Sequence, residues 1–232
     1  MKFIKINKFD LIIALYIFGL ITVNLMGVKL MPLGHFLGLD FNISVVIFLM
    51  PLMFTTIDVV SEIYGRARAR SIVFSGMIVL VLLVLFMALA TWLPQTSHFA
   101  LGSSYQEIFG ISIRLAVASI AAFLCSELLD VLVYSRLREK MKGRKIWLRN
   151  GLANFAGTFV DTTLFMIISF YGVFVQGFGA NAKFLLGMIL PYWLAKCVMA
   201  IVGTPLVYAG IRYLRRPKTA KMIPVEEEVY EN

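Results

Sequence analysis

Residues 71–92 read SIVFSGMIVLVLLVLFMALATW, 22 positions without one charge. Coiled at 1.5 Å per residue, this run is about 33 Å long and matches a hydrocarbon core of roughly 30 Å. Five other stretches, 9–27, 41–60, 114–134, 151–173 and 185–208, are of similar length and apolar character. No water reaches a bilayer core, so each stretch must satisfy its own backbone groups, and runs this long without a period of two are expected to be helices. Pro32, Pro94 and Pro217 fall outside the runs; Pro51, Pro191 and Pro205 fall inside and mark expected kinks in the second and sixth helices.

The whole chain agrees with that stretch. Of its 232 residues 60% are hydrophobic and 15% charged, with a mean hydropathy of +0.86, whereas a soluble domain is about one quarter charged. A water-soluble fold would leave large bare patches. The expected fold class is therefore all-α: a polytopic membrane protein of six transmembrane helices in one domain over 1–221, with an acidic tail at 222–232. The net charge of +9 does not point to nucleic acid, because the bases sit in short clusters between apolar runs rather than on a basic, stacking face. Of the 22 Lys and Arg, 18 lie within 2–8, 66–70, 136–149 and 212–221. These segments share one side of a six-helix zigzag, which predicts both termini in the cytoplasm.

Several alternatives fall away on the same reading. The run 9–27 follows three lysines like a signal peptide, but it exceeds an h-region and lacks a small-x-small cleavage site. Cys125 and Cys197 stand alone in apolar runs and are expected to be small buried side chains. His35 and His98 fall in separate loops, so neither an HExxH helix nor a Ser/His/Asp arrangement can be built, and no metal or other cofactor is implied.

Charges inside the spans carry the functional signal, since each costs at least about 2.5 kcal/mol at a helix centre. Asp161 lies ten residues into the fifth span and Lys196 eleven residues into the sixth, both near the midplane, where they are expected to neutralise one another. The pair reads either as an architectural staple or as the wall of a solute pathway. Asp58, Asp130 and Glu127, one turn from Asp130, form a second polar layer nearer the cytoplasm, with Asn154 at similar depth on the fifth helix. Asn24 lies near the outer end of the first helix, Arg114 is read as opening the fourth, and Glu62 as an interfacial partner of neighbouring arginines. The stripe Phe155, Phe159 and Phe165 reads as packing, and Ala153 with Gly157 as a close helix contact. Carboxylates, one lysine, an asparagine and rings such as Trp193 or Tyr192 suit a flat polar solute: carboxylates accept paired N–H groups, lysine donates to a carbonyl, and a ring stacks on the face.

At this point the chain resembles the queuosine-precursor transporters, also called the vitamin uptake transporter family. The resemblance rests on Thr56-Ile57-Asp58, Glu62, Tyr64-Gly65 and Ala69-Arg70 at the end of the second helix, on Arg114, and on Leu129-Asp130-Val131 with Tyr134 and Arg136-Leu137-Arg138. Asp161-Thr162, Lys196, Pro205 and Tyr208 extend it, in order, across 9–212. It implies a six-helix inner-membrane importer of a 7-deazaguanine, such as 7-cyano-7-deazaguanine or its aminomethyl relative, or of the related base queuine, for queuosine modification of tRNA. By the same resemblance Asp58, Arg114, Asp130, Asp161 and Lys196 match the family's polar positions, while Glu62 and Glu127 stand where relatives carry other polar residues. The partners expected are the small-molecule base and membrane lipid.

Two rival readings stay open. A substrate-capture subunit would borrow an ATP-driven module, since the chain has no P-loop, and Ala118 and Ala122 would offer a coupling surface. An intramembrane enzyme would use Asp58 and Asp161 as a dyad, although no Gly-x-Gly-Asp stretch accompanies either. A homo-oligomer is compatible with all three.

Overall fold

The structure is a computed structural model that describes the backbone of residues 7–36, 38–140 and 146–214, and their side chains except 127–140, 146–154, 156, 200–204 and 213. It is mostly helical. In chain order it contains α1 (Lys8–Met26), β1 (Leu30–Phe36), β2 (Leu39–Ser44), a 3₁₀ turn (Val45–Leu49), α2 (Met50–Tyr64), α3 (Arg66–Trp92), α4 (Gly102–Lys140), α5 (Ile146–Phe170) and α6 (Phe178–Leu214). Among the described residues, Lys8–Met26, Val45–Tyr64, Arg66–Trp92, Gly102–Ser126 and Phe178–Met199 are five helical stretches long and apolar enough to cross a bilayer, and Gly157–Phe170 is a shorter apolar one.

Local chemistry sets the ends of these helices. The Asn7 side chain accepts from the Phe9 N–H at 3.1 Å and caps α1, satisfying one of the amides that a helix start leaves open. Pro51 sits in the first turn of α2, where its missing N–H removes no helical bond; it starts a helix rather than kinking one, which corrects the expectation drawn from its place in the run 41–60. Pro191 and Pro205 do lie inside α6. Between α2 and α3 stands a single residue, Gly65, at φ 85°, a backbone that side chains disfavour. After α5, the Asn181 side chain accepts from Gly172 N–H and donates to the carbonyls of Val175 and Gly177, each at 2.8 Å, tying the loop to α6.

The segment 41–60 is not one helix. Leu39-Asp40-Phe41-Asn42-Ile43-Ser44 alternates apolar and polar residues, and it pairs antiparallel with β1. The expectation of an all-α chain is corrected to a helical bundle carrying one hairpin. Its inner end is locked: Ser44 Oγ donates to the Gly27 carbonyl at 2.8 Å, and Ser44 N–H donates to the Tyr192 hydroxyl of α6 at 3.1 Å. Gly187 of α6 lies so close to the Asp40 carbonyl that any β-carbon there would collide with it.

α4 packs against α1, α3 and α5, while α6 packs against α2, α5 and β2. Three buried clusters fill the bundle. Tyr16, Val60, Ala69 and Ile72 join α1, α2 and α3 at one end, and Leu80, Met87 and Ala116 join α3 to α4. The largest, with Ile43, Ile47, Leu115, Met166, Phe170, Leu185, Met188, Ile189 and Tyr192, seats the hairpin side of the bundle on α5 and α6. Helices in lipid gain little from hydrophobicity itself, so interhelical bonds worth about 0.6 kcal/mol each become significant. Ser112 Oγ donates to the Leu25 carbonyl, and Ser119 Oγ to Asn24 Oδ1, whose own amide returns to Leu20. Buried Asn24 is thereby an α1–α4 clamp. Cys125 is exposed and Cys197 half-buried, contrary to the expected burial, because Cys125 lies on an outward face of α4.

Candidate functional site

Lys196 stands at the middle of α6, eighteen residues from either end, and Asp161 lies nine residues before the end of α5. These two helices pack side by side. Lys196 Nζ donates to Asp161 Oδ2 at 2.8 Å, with the side chains 14% and 31% exposed. The pair therefore forms as its depth predicts, one turn away from the large cluster that includes Met166 and Tyr192. Beside it, Trp193 shares the face of Lys196 three residues on. Its ring meets Phe155 at 4.6 Å and Phe159 at 5.4 Å, both edge-on. Two members of the phenylalanine stripe thus pack on an indole, and the third, Phe165, packs edge-on against Phe170.

The other candidates are elsewhere. Arg114 does not open α4; the helix begins twelve residues earlier at Gly102, because Ser103, Ser104, Gln106 and Glu107 form its polar first turns rather than a loop. From inside α4, Arg114 Nε donates to the Ile168 carbonyl at 2.6 Å and Nη2 to the Tyr171 carbonyl at 2.8 Å. It closes the C-terminal end of α5, where open carbonyls and the helix dipole favour a cation. Asp58 is exposed on α2. Its neighbour Val59 packs on Gly210 of α6, fourteen residues beyond Lys196, or about 21 Å along the helix. The structure therefore does not bring Asp58 to the Asp161–Lys196 pair. Glu62 is also exposed, and no ion pair joins it to the arginines among the described residues. The side chains of Glu127, Asp130 and Asn154 lie outside the described residues, as do Ala153 and the tail 222–232.

Replacing Arg114 with methionine is expected to lower stability by about 2 kcal/mol, the loss of two hydrogen bonds from a charged donor. Thermal unfolding of the purified protein measures it. Arg114→Lys should recover only part, since an ammonium lacks the guanidinium fork; a wild-type melting temperature in Arg114→Met would remove the capping role.

Sequence patterns give Thr163 no role and Thr162 only a place beside Asp161. Both hydroxyl oxygens are buried without a hydrogen-bond partner, as is Trp193 Nε1. The available signal was the hydroxyl next to a carboxylate inside an apolar run.

Among the described residues, no group of three or more His, Cys, Asp or Glu could hold a metal ion. The arrangement that remains is a closed ion pair between two apolar helices, with an indole and two hydroxyls near it. It can accept, donate and stack, which suits binding of a solute.

The family described as "Putative vitamin uptake transporter" matches residues 44–210. A Bacillus subtilis protein named "Probable queuosine precursor transporter" is 30% identical over 211 residues, 90% of this chain and 83% of the relative. A Haemophilus influenzae protein of the same name is 29% identical over 62% of this chain and 58% of its own. The "Queuosine precursor transporter" of Escherichia coli is 28% identical over 53% of each. No solved structure matches the chain. With its apolar helices, its family match and its similarity to a relative over 90% of its own length, the chain belongs to the vitamin uptake transporter family and is a multi-pass protein of the bacterial inner membrane.

Proposed function

We propose that this protein imports a queuosine precursor, a 7-deazaguanine base such as 7-cyano-7-deazaguanine, and releases it to the cytoplasm. The observation that carries the reading is the 2.8 Å Lys196–Asp161 pair at the middle of α6. Intramembrane ion pairs characteristically border a pathway, and relatives similar over most of the chain are named for transport of such precursors. In the bound state Asp161 accepts from the N–H edge of the base and Lys196 donates to its carbonyl, so the solute takes over bonds that the pair makes with itself. Trp193 closes over one face of the ring.

Asp130 of α4 is proposed as the next carboxylate along the route from the pair. α4 and α5 run antiparallel with Arg114 level with 168–171, so residue 130 falls near the level of Asn154, about 10 Å from Asp161. Asp58 serves farther along the route, as a second station near the cytoplasmic exit, and Glu127 with Asn154 lines the stretch between. Arg114 at the outer end of α5 holds that helix in place for the solute. Six spans with both termini cytoplasmic complete the proposed topology, α5 with its shorter apolar stretch being the fifth in order. Prolines 191 and 205 interrupt the hydrogen-bond ladder of α6 on both sides of Lys196 and give it places to bend during alternating access.

The transport reading is favoured over its rivals. Ala118 and Ala122 are 0% and 1% exposed, so they pack inside the bundle and do not offer the surface that an ATP-driven module would dock on. An Asp58–Asp161 dyad conflicts with their separation along α6. Competition uptake tests the proposal: cells expressing the protein should accumulate labelled 7-cyano-7-deazaguanine, and excess unlabelled 7-deazaguanine precursor should displace it while guanine should not. Displacement by guanine with equal potency, or no accumulation above cells lacking the protein, would overturn it.

A further inference from the structure

A hydroxyl on a buried helix ordinarily finds an acceptor, commonly the carbonyl four residues earlier. Here Thr56 donates to Leu52, Ser75 to Ser71, Thr91 to Met87, and Ser112 to both Ile108 and Leu25. The exceptions are concentrated. Among the described residues, the buried side-chain polar atoms with no partner are Thr162 Oγ1, Thr163 Oγ1, Ser169 Oγ and Trp193 Nε1, all on α5 and α6. Ser169 lies two turns from Thr162, toward the end of α5 that Arg114 caps. The other three are one or two positions from Asp161 or one turn from Lys196.

We infer that Thr162, Thr163 and the Trp193 indole form a neutral donor set that reads a hydrogen-bond acceptor on the solute, either a ring carbonyl oxygen or a nitrile nitrogen. The inference rests on the transport reading and deepens it by naming what recognises the uncharged part of the base. Three observations carry it. Helical spacing puts Thr162 on the face of Phe155 and Phe159, the two rings against which Trp193 packs. Thr162 is 1% exposed, so its oxygen is neither solvated nor bonded, a condition buried polar groups rarely keep without a partner to come. Lys196 and Asp161 are meanwhile bonded to each other, whereas the indole N–H can only donate and is uncommitted.

The test is equilibrium binding of labelled 7-cyano-7-deazaguanine and of unsubstituted 7-deazaguanine to the full-length protein in nanodiscs, with Thr162→Val, Thr163→Val and Trp193→Phe. Thr162→Val and Trp193→Phe should each weaken binding about tenfold, the cost of one well-placed hydrogen bond. The Thr162→Val melting temperature should stay unchanged or rise, since an isosteric methyl in place of Thr162 Oγ1 removes a buried oxygen that bonds to nothing, whereas Trp193→Phe also gives up indole packing on Phe155 and Phe159. A loss confined to the cyano compound assigns the set to the nitrile; an equal loss for both bases assigns it to the ring carbonyl. Wild-type affinity in all three variants would overturn the inference, and so would a Thr162→Val melting temperature that falls together with affinity, which marks the hydroxyl as structural. If the unmodified protein binds neither base, the transport reading itself fails and takes this inference with it.

Discussion

Lys196→Met is expected to abolish uptake of labelled 7-cyano-7-deazaguanine, by about a hundredfold or more, and to destabilise the protein as well. The physical reason is asymmetry. Removing one member of a fully buried ion pair leaves the other charge without its partner, at a cost of about 3–5 kcal/mol; here the orphan would be the half-buried Asp161 between two apolar helices, and the cost falls toward or below the low end of that range. Asp161→Asn should do the same in the opposite sign. The informative variant is the double one, Asp161→Asn with Lys196→Met, in which no charge remains. Its melting temperature should return toward that of the wild type, because a neutral pair of similar volume is tolerated in place of a buried ion pair. Uptake should not return, because the groups that address the base are gone. Transport by the double variant at the wild-type rate would make the pair an architectural staple and remove it from the site.

Gly187→Val should be the most damaging of the single apolar substitutions. The obstacle at Gly187 is the Asp40 carbonyl, part of the β2 backbone, and a backbone group cannot rotate aside as a side-chain terminus can. The hairpin must lift from α6, and the Ser44–Tyr192 hydrogen bond goes with it. Overpacking of this kind costs about 3 kcal/mol, or about 6–12 °C in melting temperature for a chain of this size. Gly187→Ala should shift it in the same direction by less. Gly110 supplies the contrast: nothing lies within 4 Å of a β-carbon there, so Gly110→Ala should be neutral or slightly stabilising through helix propensity. Gly187→Val melting with the wild type would show that β2 does not bear on α6.

What the chain disclosed in advance follows the length scale of each signal. Hydropathy over twenty residues located α1 almost to the residue and placed the end of α3 at Trp92, because lipid imposes one uniform demand along a span. The cost of burying charge likewise singled out Asp161 and Lys196 and paired them before any contact was seen. The hairpin was hidden because Leu39-Asp40-Phe41-Asn42-Ile43-Ser44 is too short to outweigh the apolar residues that follow it, although its alternation is plain once isolated. Arg114 was misplaced for the opposite reason: the polar first turns of α4 have loop-like composition but helical backbone. The separation of Asp58 from the pair depends on how α2 is staggered against α6, a register fixed by Val59 meeting Gly210 and encoded in no single stretch. The unpartnered hydroxyls are less legible still, since threonine at 162 reads alike whether its oxygen bonds to its own helix or waits for something else.

Gly65 is the whole of the connection between a 15-residue helix and a 27-residue one. A joint one residue long permits tilting but almost no sliding, so the two arms behave mechanically like the halves of a clothes peg. Any displacement of one arm along its axis must therefore carry the other with it, while the angle between them stays free to change. Sliding between α2 and α3 is thereby excluded, and relative sliding is left to helices joined by longer connections, such as α5 and α6.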